Sequence, residues 1–138
     1  MYLLDTNMLI YIINDKSAKL SQKLTTFKPL ELSTCSIVVS ELYFGVQKSR
    51  FKEQNLKSLE KILSFFSIYD FGVKEAKEYA KLRANLEQKR SLIGNMDMLI
   101  ASSAMANNLI LVTNNEKDFA RIENLKIENW CKGLENEK

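Results

Sequence analysis

The first apolar run of the chain, Tyr2 to Leu4, is short and stops at a carboxylate, Asp5. Such a run predicts a buried strand that delivers Asp5 at its C-terminal end, with a helix from about Asn7 onward. Leu32 to Cys35 predicts a second strand, with Ser36 as N-cap of a helix through about Lys48. Phe51, Leu56, Leu59, Leu63 and Phe66 recur at helical spacing and predict the core face of another helix. Ser67 to Phe71 is β-prone, and Val73, Ala76, Ala80 and Ala84 mark a further helix ending near Arg90. Asn95 is the expected cap of the next helix, which runs to about Asn107. The turn signal Asn107-Asn108 then leads into a buried strand over 109–112. A helical turn over 116–121 and a short strand within 125–130 complete the pattern. Strands alternating with helices predict an α/β fold, a mostly parallel central sheet flanked by helices. Sites in such sheets form at the carboxyl ends of the strands, which directs attention to Asp5 and to the residues after Val112.

One proline, four glycines and the lack of any linker-like or repeated stretch in 138 residues predict a single domain. Its core is expected at about 2–130, followed by a short polar tail at 132–138. The apolar start is interrupted by Asp5 and Asn7 and has no basic flank or cleavage motif. No run approaches the ~18 apolar residues of a membrane span, so the expected protein is cytoplasmic with no membrane partner. Cys35 and Cys131 lie far apart and outside any CxxC pattern, which fits two reduced thiols.

The chain has no histidine, which excludes Ser-His-Asp and Cys-His nucleophiles, paired-His RNA cleavage and His-ligated zinc. Any catalysis then rests on carboxylates, Lys, Tyr, Ser or a hard metal ion. Four acidic positions stand out. Asp5 fits either a helix cap or a metal ligand. Glu41, in the apolar stretch IVVSELYFG, shares a helical face with Ile37 and Gly45. It fits either a site carboxylate or a rim residue paired with Lys48, and Gly45 suggests a close backbone approach. Asp97 falls in the first turn of its helix, where the dipole favours a charged carboxylate. Asp118 closes a polar run, 113–118, just past a strand end. Together they place three or four carboxylates at one edge of the sheet, and crowded like charges favour a shared cation. Mg²⁺ suits such oxygen ligands, Mn²⁺ can substitute, and a bound ion of this kind supports phosphodiester hydrolysis without histidine.

The formal net charge of +3 permits a polyanionic partner without demanding one. Its distribution is more informative. Lys48, Arg50 and Lys52 form one basic group, and Lys81, Arg83, Lys89 and Arg90 a second. Either group fits a solvated helix face or a phosphate-backbone contact, the candidates for the latter being Lys48, Arg50, Arg83, Lys89 and Arg90.

At these residues the sequence resembles the PIN-domain ribonucleases, in particular the VapC toxins of bacterial toxin–antitoxin pairs. The matching pieces are LLDTN at 3–7, SELYFG at 40–45, IGNMDMLIAS at 93–102, LVTNNEKDF at 111–119 and LKIENW at 125–130. They stand in the family's order and cover nearly the whole chain. The resemblance implies a PIN-like fold and a Mg²⁺-dependent endoribonuclease with an acidic pocket of Asp5, Glu41, Asp97 and Asp118. Asp5 and Asp97 match the metal ligands, and Glu41 completes the pocket through water. Asp118 takes the fourth place because Asn115 stands where many PIN domains carry an acid. Thr6, Asn114 and Asn115 are implied as groups that orient the carboxylates. Also implied are a homodimer, a VapB-type antitoxin that reaches operator DNA on the toxin's behalf, and a structured RNA target, often a tRNA anticodon loop and the initiator tRNA first. Two other readings remain at this point: a degenerate PIN domain that binds RNA or protein without cutting, motivated by Asn115, and a DNA-cutting nuclease of related fold.

Overall fold

A computed structural model describes residues 1–14 and 18–131; the expected tail at 132–138 lies outside the described residues. Five strands form one parallel sheet: β1 (Tyr2–Leu4), β2 (Leu32–Cys35), β3 (Ser67–Tyr69), β4 (Ile110–Val112) and β5 (Ile127–Glu128). Their order across the sheet is β3-β2-β1-β4-β5, so the first strand made is the central one. The helices are α1 (Thr6–Ile13), α2 (Ala18–Thr25), α3 (Ser36–Gln47), α4 (Lys52–Leu63), α5 (Val73–Gln88), α6 (Asn95–Ala106) and the single turn α7 (Glu116–Phe119). Among the described residues no helix is long and apolar enough to cross a membrane.

The α/β expectation is met, and parallel pairing explains why the strands read as unbroken apolar runs: Leu3, Leu4, Leu111 and Val112 are fully buried between helix layers. The polar members of β2 are buried too, and each hydroxyl finds a backbone carbonyl of β1. Ser33 Oγ donates to Tyr2 O at 2.6 Å and Thr34 Oγ1 to Leu4 O at 2.9 Å. Small residues on α6 (Ala101, Ser102, Ser103 and Ala104) are all buried, which lets the helix lie close against the sheet. Tyr2, Phe27 and Trp130 make a three-ring cluster, with Phe27 and Trp130 stacked at 5.0 Å. Cys35 and Cys131 are buried thiols, as the spacing predicts.

Several local expectations are corrected. Helix α3 is capped at Cys35, not Ser36; the Ser36 hydroxyl instead accepts the Phe71 N–H across the sheet edge at 3.1 Å. Helix α6 is capped at Gly94, and Asn95, already helical, accepts a hydrogen bond from the Tyr79 hydroxyl at 2.6 Å. Phe51 stands outside the core at the start of α4, 63% exposed. The helix marked by Val73, Ala76, Ala80 and Ala84 is present as α5; that stripe faces solvent, while Glu75, Leu82 and Leu86 face inward. Leucine side chains bury far more apolar area than alanines, so they take the core side of a helix that offers both stripes.

Glu75 is buried without being part of any motif. Burial would raise its pKa, but hydrogen bonds from the Gly72 N–H (2.9 Å) and the Asn107 amide (3.0 Å) hold it below the usual carboxylate range. It thereby ties the start of α5 to the C-terminal end of α6.

Candidate active site

The chain leaves the sheet's central strand at Asp5, beside the point where the strand order reverses from β1–β2–β3 to β4–β5. Crevices outside the carboxyl ends of strands open at such a switch point. Asp5 is at once a cap and a buried acid: its Oδ1 accepts the Met8 N–H at 3.0 Å, and it is only 5% exposed. Burial raises its pKa from 3.8 to about 6, against the hydrogen bonds from Thr113 and Met8 and with help from the charges on Asp97 and Glu41. The capping and site readings of Asp5 are therefore not alternatives.

Glu41 sits one turn into α3, half-buried. Its partner is not Lys48 but Thr6, whose hydroxyl donates to Glu41 Oε1 at 2.6 Å. Lys48 turns its ammonium over the Phe44 ring instead, 5.1 Å from the centroid. Gly45 makes no close approach: nothing lies within 4 Å of the place a Cβ would take, and it lines an open groove with Ile10, Ile13, Glu41 and Leu42.

Asp97, in the first turn of α6, faces the same space. The helix dipole that favours its charged form is opposed by burial and by the charges of Glu41 and Asp118, which raise its pKa. Asp118 on α7 accepts a hydrogen bond from the Asn115 amide at 3.2 Å and lies 3.9 Å from Arg121. Asp5 thus feels the charges of Asp97 and Glu41, and Asp97 those of Glu41 and Asp118. Among the described residues no three His, Cys, Asp or Glu side chains stand close enough together to hold a metal ion between them.

The PIN domain family matches residues 2–125 of the chain. Ribonuclease VapC2 of Rickettsia felis is 48% identical over 132 residues, covering 95% of this chain and 98% of the relative. This chain belongs to the VapC family of PIN-domain proteins. A crystal structure of VapBC2 from Rickettsia felis, bound to a DNA fragment from their promoter, superposes with a TM-score of 0.89 at 47% identity. It covers 94% of this chain and 98% of that one. The tRNA(fMet)-specific endonuclease VapC of Salmonella typhimurium is 32% identical over 130 residues, covering 94% of this chain and 98% of the relative.

Within this VapC fold the orienting residues divide. Thr6 and Asn115 each hold a carboxylate, whereas Asn114 is exposed and turned to solvent. Sequence reasoning passed over two residues. Thr113, wholly buried, hydrogen-bonds Asp5 and accepts the Asn115 N–H at 3.0 Å. A threonine ending a buried apolar strand was the available signal. Arg121 bridges Asp118 and the Leu92 carbonyl, 3.2 Å away, so it joins α7 to the loop before α6. Of the basic candidates, Arg83 lies against Tyr79 and Glu87, and Lys89 is paired with Glu123. Lys48, Arg50 and Arg90 are exposed with no acidic partner among the described residues.

The bond from Thr6 carries a direct prediction. Thr6→Val keeps the shape of the side chain and removes the donor to Glu41, so RNA cleavage should fall by roughly 10-fold or more with an unchanged circular dichroism spectrum. Thr6→Ser, which keeps the hydroxyl, should retain most of the rate in the same assay.

Proposed function

We infer that this chain is the toxin of a toxin–antitoxin module, a Mg²⁺-dependent endoribonuclease that cuts a tRNA, with the initiator tRNA the first candidate. The observation that carries this reading is the set of four coupled carboxylates at the switch point of the sheet. Two of them, Asp5 and Asp97, have pKa values raised by burial and by their neighbours. An acidic cluster held at that cost is relieved by a cation, and an all-oxygen donor set suits a hard one.

In this reading Asp5 and Asp97 would hold the metal, with Glu41 and Asp118 completing the acidic set. When bound, the ion supplies water activation and stabilisation of the charge that builds on the phosphodiester. The chain's own residues do the positioning. Thr6 fixes Glu41, Thr113 fixes Asp5, and Asn115 and Arg121 fix Asp118, so that each carboxylate presents a defined oxygen. Asn115 is thus a support for the acid three residues later, which favours an active enzyme over a degenerate binding module. Lys48, Arg50, Arg83, Lys89 and Arg90 contact the phosphate backbone, with Lys48, Arg50 and Arg90 the most accessible.

The protein acts in the cytoplasm as a homodimer, within one domain whose core spans about 2–130. A VapB-type antitoxin lays its tail along the open groove beside Gly45, at whose rim Glu41 stands, and carries the complex to operator DNA. Support for the partner comes from the VapBC assembly whose toxin this chain resembles at 47% identity; support for the tRNA comes from the Salmonella typhimurium relative.

The test is cleavage of total tRNA by the purified protein. Cutting is expected with Mg²⁺ or Mn²⁺, lost with EDTA and restored by excess metal. Full activity in EDTA, after controls for contaminating nucleases, rules the metal-dependent reading out.

A further inference from the structure

The face of α3 that carries Glu41 continues along the helix through Phe44 to Lys48. By helix rise these stand about 4.5 Å and about 10.5 Å beyond Glu41 along the axis. Phe44 is 64% exposed with the Lys48 ammonium over its ring, and Phe51, at the start of α4, is 63% exposed. Phe51 lines an open depression with Arg50, Lys52, Gln54, Lys57 and one acid, Glu53. A single exposed phenylalanine needs no explanation. Two within eight residues, set among cations and beginning one turn from a carboxylate of the active site, form a pattern. Nucleic-acid surfaces that hold single strands combine these same elements: aromatic faces on which bases stack, and cations that follow the phosphates.

We propose that Phe44 and Phe51, with Lys48, Arg50 and Lys52, form a base-stacking platform that holds an unpaired stretch of the RNA substrate beside the acidic pocket. The proposal rests on the ribonuclease reading and adds to it a reason for selectivity. A base within a duplex is already stacked on its neighbours, so only a loop, bulge or single strand can use the rings. The charge balance of the corner favours a polyanion over a basic peptide, since four cations, Lys48, Arg50, Lys52 and Lys57, outnumber its acids, Glu53 and, one turn from Phe44, Glu41.

The chain's one tryptophan, Trp130, is buried, so Phe44→Trp introduces an exposed reporter. In an Asp97→Asn background that does not cut, a single-stranded oligoribonucleotide should quench this fluorescence, and the same sequence as a duplex should not. Adding Lys48→Ala should weaken the titration several-fold, and raising the salt should weaken it further. In the cutting enzyme, Phe44→Ala should raise KM about tenfold with little change in kcat, while Phe44→Trp restores KM and Phe44→Leu does not. Equal quenching by duplex, or no quenching together with an unchanged KM, overturns the platform. So does a change in oligomeric mass or antitoxin binding with KM unaltered, which makes the corner a protein interface. Because quenching is read without cleavage, its outcome is separate from that of the nuclease reading, which fails if the wild-type protein with metal cuts no RNA or cuts equally well in EDTA.

Discussion

Replacing Asp97 by asparagine lowers RNA cleavage by about a thousandfold and leaves the fold in place. Asparagine has the shape of aspartate and is tolerated in the first turn of a helix, so α6 keeps its start and its packing. What disappears is one negative charge in a pocket where Asp97, Glu41 and Asp118 repel one another and where burial already disfavours ionisation. Metal-supported charge stabilisation is worth several kcal/mol, and about 4 kcal/mol corresponds to a factor of roughly 10³ in rate. The check is single-turnover cleavage at saturating Mg²⁺, paired with Mn²⁺ titration of the intact protein. Both should decline together, and a variant that cuts as fast as wild type removes Asp97 from the mechanism.

The second large effect concerns stability, and it is a gain. With EDTA present, Asp5→Asn should make the protein more stable at pH 7.5. The folded-state pKa of Asp5, about 6, lies above its ordinary 3.8, chiefly through burial. Between those values the native state holds a proton that the unfolded chain has released, so stability falls as pH rises through this window and stays low above it. Two pKa units amount to about 3 kcal/mol at full effect, on the order of 10 °C in Tm for a chain of this size. Asparagine still offers an oxygen to the Met8 N–H, so α1 keeps its cap. The advantage should shrink as pH is lowered through 6 and vanish below about 4. Divalent metal should narrow it at neutral pH by stabilising the wild type alone. Equal melting temperatures at pH 7.5 and pH 4 would falsify the claim that Asp5 is held at an energetic cost.

How far the sequence revealed this depended on how local each cause was. A strand ending in an acid needs only neighbouring residues, so Asp5 after Tyr2–Leu4 and the polar run after Ile110–Val112 were legible from short stretches. The expectation that Asp5, Glu41, Asp97 and Asp118 belong to one site followed from the rule for parallel sheets and from the family pattern, and no single stretch contained it. The misreadings came from choices that only tertiary contacts settle. Ser36 is an excellent cap by chemistry, yet its hydroxyl is taken by Phe71, thirty-five residues away. Asn95 is likewise engaged by Tyr79 from α5. Glu75 depends on Asn107, across an interface that the periodicity of α5 does not describe. On α5 two stripes competed, and alanine spacing alone did not say which one would face inward.

The central place of β1 also imposes a schedule. Leu4 pairs with Val112, so the strand made first waits for a partner made more than a hundred residues later. At about 5–20 residues per second, synthesis leaves Asp5 without β4 and Thr113 for roughly 5–20 s. Long-range parallel pairing is itself slow to form. A nascent chain therefore cannot bring the residues after β4 beside Asp5 until most of the protein has been made.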